Sequence, residues 1–231
     1  MLRLNIQTCA LIISSFFIAQ YGLAQQNETR FSPKELAAWP TYGIGKSTVE
    51  NDELIVEETD GSDGFFLISP EAYTGDMTLT YKVKALSESS VQIVLFSASG
   101  QGETLDFDLP PADATPREVW NWRTTLEHYN LTFNNISHGN KPFFFKNISP
   151  SEMGFRHNQQ ENVMEPEAWY DVQIDKIGTQ ITFRLNNKVV FDVKDHEPLK
   201  GGHLMFRISG TNGSKIIFAK AAYKDVVLKH Q

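Results

Sequence analysis

The sequence predicts an all-β protein, a single antiparallel β-sandwich, and three observations carry that expectation. Short apolar or alternating runs recur along the chain, each bounded by Gly, Asp, Asn or Ser. Helical periodicity is nearly absent. The C-terminal third reads as a meander: WYDVQIDKI, Gly178-Thr179, QITFRL, Asn186-Asn187, KVVFDV. Two-residue turns of that kind close antiparallel hairpins.

At the start of the chain, residues 1–24 have the pattern of a secretory signal peptide. MLRLNIQT carries one arginine, CALIISSFFIA is an apolar run too short for a membrane span, and Gly22-Leu23-Ala24 is a small-x-small cleavage signal. Cys9, the only cysteine, opens the apolar run instead of closing it, the wrong place for lipid attachment. The expected domain is therefore 25–231, located in a bacterial periplasm or secreted. Without cysteine it has no disulfide framework, thiolate metal site or cysteine nucleophile. The formal charge of −7 becomes −8 once Arg3 is removed, 20 basic against 28 acidic residues. No basic tail or patch suits a phosphate backbone, so nucleic acid is not an expected partner. No second long apolar run follows, so membrane insertion of the mature chain is not expected either.

Ser32-Pro33-Lys34-Glu35-Leu36 is the one plausible helix, with a serine cap and proline in the first turn. MTLTYKVKA (77–85) and SVQIVLFSA (90–98) are strands, and 100–116 is the longest irregular loop. The stretch VWNWRTTLEHYNLTFNN (119–135) follows. As a strand it places Tyr129, Leu131 and Phe133 on one face and His128, Asn130 and Thr132 on the other. Trp120 and Trp122 share the face of His128 if the strand runs unbroken, whereas a turn at 123–125 resets them. GFFLIS and PFFFKN are packing runs, and Trp169 leads a core strand. Phe183, Leu185, Val189, Phe191, Leu204 and Phe206 are the expected core of the C-terminal strands. Gln173, Arg184, His203 and Arg207 then face outward, the arginines as solvated charges.

The run W-Y-D-V-x-I-D-K-I-G-x-x-I-x-F-x-L-N-N-K-V-V-F-D-V, with G-G-H-L-M-F-R-I after it, resembles the end of concanavalin A-like jelly rolls. That resemblance covers about a quarter of the chain and implies a jelly-roll sandwich. HYNLTFNN, KPFFFKN and GFRH resemble a narrower set, the secreted proteins of bacterial polysaccharide-utilisation loci (a domain-of-unknown-function family), which includes oligosaccharide dehydratases of ulvan degradation. Where that set has Arg-Lys-Asn, this chain has Phe145-Lys146-Asn147.

Several chemistries lack their residues. There is no His-x-Glu-x-x-His spacing, no Gly-rich phosphate loop and no Gly-x-Ser-x-Gly elbow. The nearest approach to a retaining-glycosidase carboxylate pair, Glu103-Thr104-Leu105-Asp106-Phe107-Asp108, has the wrong spacing. Neither a metal nor a cofactor is expected. Elimination from a uronate needs a group to neutralise the carboxylate, a base, and a proton donor for the leaving oxygen. Arg123 and Asn130 suit the first role, His128 and Tyr129 proton transfer, and His157 is the preferred partner of His128. Adjacent His128 and Tyr129 point to opposite faces of a regular strand, so both serve only if it bulges. Trp120 and Trp122 offer stacking faces for a sugar, and Lys146, Asn147 and Arg156 further polar contacts. The resemblance, not this composition, names the reaction. It implies a lyase or dehydratase acting by β-elimination on uronate-containing oligosaccharides of the ulvan type, an anionic oligosaccharide being the expected partner. A non-catalytic carbohydrate-binding module is the alternative, and a glycoside hydrolase ranks third.

Overall fold

The computed structural model describes residues 27–88, 90–111, 113–134, 141–148, 152–159, 164–210 and 217–231. The expected signal peptide lies outside them. In chain order the N-terminal elements are β1 (Asn27–Phe31), α1 (Pro33–Ala37), β2 (Thr41–Gly43), β3 (Gly45–Glu50), β4 (Glu53–Glu58) and β5 (Phe65–Thr74). The middle holds β6 (Met77–Ala85), β7 (Val91–Ser99), α2 (Pro116–Thr124), β8 (Glu127–Phe133), β9 (Phe143–Ile148) and β10 (Glu152–Asn158). Last come β11 (Trp169–Ile177), β12 (Gln180–Leu185), β13 (Lys188–Lys194), β14 (Gly201–Ser209) and β15 (Lys220–His230).

Two antiparallel sheets form a sandwich, as the alternation required. One runs β13-β12-β11-β6-β15-β4-β3, with β1 also paired to β15; the other runs β10-β9-β8-β7-β14-β5-β2. The first sheet follows the period of two: Met77, Leu79, Tyr81 and Val83 are buried while Lys82 and Lys84 point outward. Its inner face meets Phe96, Tyr129, Leu131, Phe133, Leu204 and Phe206 of the second sheet in one core. The second sheet does not alternate in burial. All nine positions of β7 and all seven of β8 are buried, because α2 and the loop before it cover much of the outer face. A second apolar cluster there contains Phe66, Ile68, Ile93, Leu95, Val119, Leu126 and Met205.

Four sequence expectations need correction. Residues 116–124 are a helix, so Trp120 and Trp122 are not the leading part of a strand. Its start carries the same signature as α1: Thr115 and Glu118 form a capping box around Pro116, as Ser32 and Glu35 do around Pro33. Val189 is 49% exposed, not core. The pairing of β12 with β13 shifts between Phe183 and Arg184, so Val189 opposes outward-facing Arg184. Trp169 stands opposite Lys84 on the outer face, where Lys224 Nζ lies 3.9 Å and Lys84 Nζ 4.8 Å from its ring centre. Arg207 faces outward as expected, but it is 6% exposed and not solvated. The remaining expected core residues, Phe183, Leu185, Phe191, Leu204 and Phe206, are all buried.

Candidate functional site

The outer face of the second sheet is where α2 meets β8 and β14. The helix lays Trp120 and Arg123 over the strands. The Arg123 guanidinium carbon stands 4.0 Å from the centre of the Trp120 ring and that of Arg207 5.3 Å from the same centre. Arg123 Nη1 donates to Asn130 Oδ1 at 3.1 Å, and Asn130 Nδ2 donates to Thr132 Oγ1 at 2.8 Å. Arg207 Nη2 donates to the Asp63 carbonyl at 3.0 Å, and its guanidinium also lies against Phe66. Gly64 makes room for it: a Cβ there would stand 2.5 Å from Arg207 Nη2.

Among the described residues neither arginine enters an ion pair, and the Nε of each is buried without a partner. Two charges out of water with no ion-pair partner destabilise their own protonated forms. Burial, then Arg207, lowers Arg123 to about 9. Burial lowers Arg207 to about 10, against the opposing pull of Glu58 and Asp63. Trp120, 43% exposed, is the side chain between this pair and solvent. A guanidinium can bind a carboxylate through parallel hydrogen bonds.

His128 lies beside the pair and is fully buried. Its Nδ1 is 3.0 Å from the Leu126 carbonyl, which can only accept, so Nδ1 carries the proton and Nε2 a lone pair without a partner. Burial, then Arg123, lowers its pKa to about 3, so the ring is neutral at physiological pH. Asn147 Nδ2 donates to the same Leu126 carbonyl at 2.7 Å and to the Thr124 carbonyl at 3.3 Å. The two side chains together fix the link from α2 to β8.

Other expected site residues stand elsewhere. Tyr129 and Lys146 face the sandwich interior. The Tyr129 hydroxyl donates to Asp195 Oδ2 at 2.6 Å, Lys146 Nζ pairs with the same oxygen at 2.9 Å, and the Leu199 amide donates to the Tyr129 oxygen. They anchor the segment between β13 and β14. His157 opposes Phe144, so it belongs to the face opposite His128 on the edge strand β10, and the two cannot act on one ligand atom. Exposed Arg156 stacks over Phe143 and donates to Asn158. Trp122 packs between Tyr42 and Phe107, and its indole N–H donates to the Asp108 carbonyl. The structure thus gathers Trp120, Arg123, His128 and Asn130, with Asn147 behind them.

Sequence reasoning passed over two features. Arg207 had the right parity, and only the unread helix hid its burial. The second is a cavity of about 490 Å³ on the same face, lined by Ile68, Ser69, Pro70, Leu105, Asp106 and His203 among others. No group of three or more His, Cys, Asp or Glu among the described residues could hold a metal ion.

Residues 28–229 match the model of the family described as the 3-keto-alpha-glucoside-1,2-lyase-like domain. No curated protein sequence matches the chain. Among solved structures, a Bacillus subtilis protein of unknown function with a galectin-like fold is similar at a TM-score of 0.69 and 15% identity, over 90% of this chain and 98% of that one. The carbohydrate-binding module CBM66 from Bacillus subtilis gives 0.51 and 12%, over 81% and 94%. The Bacillus licheniformis beta-glucanase gives 0.54 and 11%, over 92% and 95%. At these identities the likeness establishes the jelly-roll fold and nothing about activity.

Proposed function

The chain belongs to the 3-keto-alpha-glucoside-1,2-lyase-like domain family, and from that premise we propose that it is a carbohydrate-active lyase that works by β-elimination on an acidic oligosaccharide. Elimination across C1 and C2 of a 3-keto glucoside removes the hydrogen beside the ketone and expels the oxygen on the next carbon. Elimination from a uronate does the same beside its carboxyl group. In both, a carbonyl acidifies the C–H bond and the leaving oxygen sits one carbon further on.

One observation carries the choice of an acidic substrate. Arg123 and Arg207 are buried with no ion-pair partner among the described residues beneath half-exposed Trp120, with Asn130 fixed beside them. A sugar carboxylate supplies the missing charge, and the indole supplies an apolar face for the ring. A uronate-containing oligosaccharide of the ulvan type fits this receptor better than a neutral keto sugar. Hydrolysis by a carboxylate pair is disfavoured. The outward positions of β7, β8 and β14 hold no Asp or Glu, and Glu127 is engaged by the Gly102 and Glu103 amides. The protein is read as acting in a bacterial periplasm or outside the cell, where such saccharides are met.

The test follows ultraviolet absorbance and product mass with two substrates, ulvan-derived oligouronates and methyl 3-keto-α-glucoside. Growing absorbance with the oligouronates, and a mass showing loss of water or chain cleavage, is the expected result. Turnover of the keto glucoside alone refutes the acidic substrate. Calorimetric binding of oligouronates with no absorbance change would make the protein a binding module.

A further inference from the structure

His128, fully buried and neutral, leaves the proton-removing group unassigned. We propose that His203, at the wall of the 490 Å³ cavity, is the general base of the elimination. The inference rests on the elimination reading.

Backbone geometry singles out this residue. β14 lies between β7 and β5, and both neighbours lose register with it at the same level. Between the partners of His203 and Met205, β5 advances from Ala72 to Ile68 and β7 from Ala98 to Leu95. On β7 the irregularity includes Ser97 at φ 49. On β5 it contains Pro70, which has no N–H to give a ladder. Ser69 takes over there: its hydroxyl donates to the Glu71 carbonyl at 2.6 Å and accepts from the Leu204 amide at 3.0 Å. Bulges on both sides of one strand open the sheet and re-aim the side chain between them.

The imidazole is oriented for the task. Nδ1 lies 2.7 Å from the Ser69 carbonyl, so it carries the proton and Nε2 is left with the basic lone pair. Phe107 meets the ring edge-on at 5.2 Å, fixing its plane. The residue is half-buried, unlike His128, and Leu105 and Leu109 wall the cavity with apolar surface. Asp106 lines the same cavity.

The step balances without a cofactor. Nε2 takes the proton from the carbon beside the carbonyl, and the C–H electron pair becomes the new C=C bond. The C–O bond on the next carbon breaks, and its oxygen leaves with a proton from water. The imidazolium then returns its proton to solvent. Four residue steps along β14, about 13 Å of backbone, lead from His203 to Arg207. Both residues lie on the outer face of one sheet, so one oligosaccharide can meet the cavity and the arginines together.

His203→Asn tests this, because the asparagine amide can still donate to the Ser69 carbonyl while the base is gone. With ulvan oligouronates the expected result is a fall in kcat of about 100-fold or more, KM within about twofold, and an unchanged Tm. In His203→Ala, added imidazole should restore part of the rate. Near-full activity of the asparagine variant overturns the assignment alone. A loss in both variants that imidazole does not rescue overturns it too. No turnover by the unmodified protein overturns the elimination reading and this inference with it.

Discussion

Arg123→Met separates an arginine kept for a ligand from one kept for stability. The guanidinium carbons of Arg123 and Arg207 stand 4.0 and 5.3 Å from one ring centre, so they are at most about 9 Å apart. Two unit charges at that separation repel by about 2 kcal/mol or more at an effective dielectric constant of 20. Methionine removes that repulsion together with the desolvation of one charge. Against it stand the bond to Asn130 Oδ1, worth about 1.5–3 kcal/mol as a charged hydrogen bond, and about 0.5–2 kcal/mol of stacking on Trp120. Asn130 keeps its bond to Thr132. The opposing contributions nearly cancel, and the variant should unfold in urea within about 1 kcal/mol of the parent with an unchanged m value. Removing one partner of a buried ion pair costs about 3–5 kcal/mol instead. Oligouronate should raise the Tm of the parent and leave that of the variant unmoved. A loss of 3 kcal/mol or more, or ligand stabilisation that survives, would refute the idea that this guanidinium waits for an anion.

Phe206→Ala should cost about 3–5 kcal/mol, read as a lower Tm, because Phe206 packs against Trp39, Tyr81 and Tyr223 at the centre of the sandwich; an unchanged Tm refutes that placement. Tyr129→Phe should cost about 1–3 kcal/mol by leaving the Leu199 amide unpaired, with KM unchanged. It should also alter acid unfolding. Burial raises the Asp195 pKa, but Tyr129, Lys146 and the Glu197 amide outweigh it and hold it below the usual 3.8. A depressed carboxylate stabilises the fold above its unfolded pKa and loses that contribution as pH falls through its folded pKa. Without the tyrosine the folded pKa rises toward the unfolded value, so the contribution is smaller and the variant should unfold at higher pH on acidification, followed by circular dichroism; an identical acid midpoint counts against the network.

The sandwich was legible because β6, β8, β11, β12 and β14 each carry a period of two, with turn residues where hairpins close. What failed was local. Val189 turned outward because a bulge, invisible in a single strand's pattern, set its face, whereas Trp169 shares the parity of outward-facing Gln173 and its side was readable in the strand. Alternation placed His128, Asn130 and Arg207 on the outer side of their sheet correctly. It could not show that this side is roofed, which makes buried charges of residues that otherwise meet solvent. Thr115-Pro116-Arg117-Glu118 was the readable sign of that roof, the same start that identified α1. The bulges beside His203 had a weaker sign, Pro70 inside an apolar strand.

The order of the strands has a consequence for how this molecule comes into being. β15 is the last strand in chain order, yet it lies between β6 and β4 and also receives β1. Until it arrives, those three strands have open hydrogen-bonding edges and half of the core has no floor. Local pieces such as the β11–β13 meander can form early, but the sandwich closes only through contacts between distant parts of the chain, which makes folding slow. A nascent chain therefore exposes unpaired strand edges to its neighbours until β15 has been made. Removal of residues 222–231 would take a strand from the interior of a sheet.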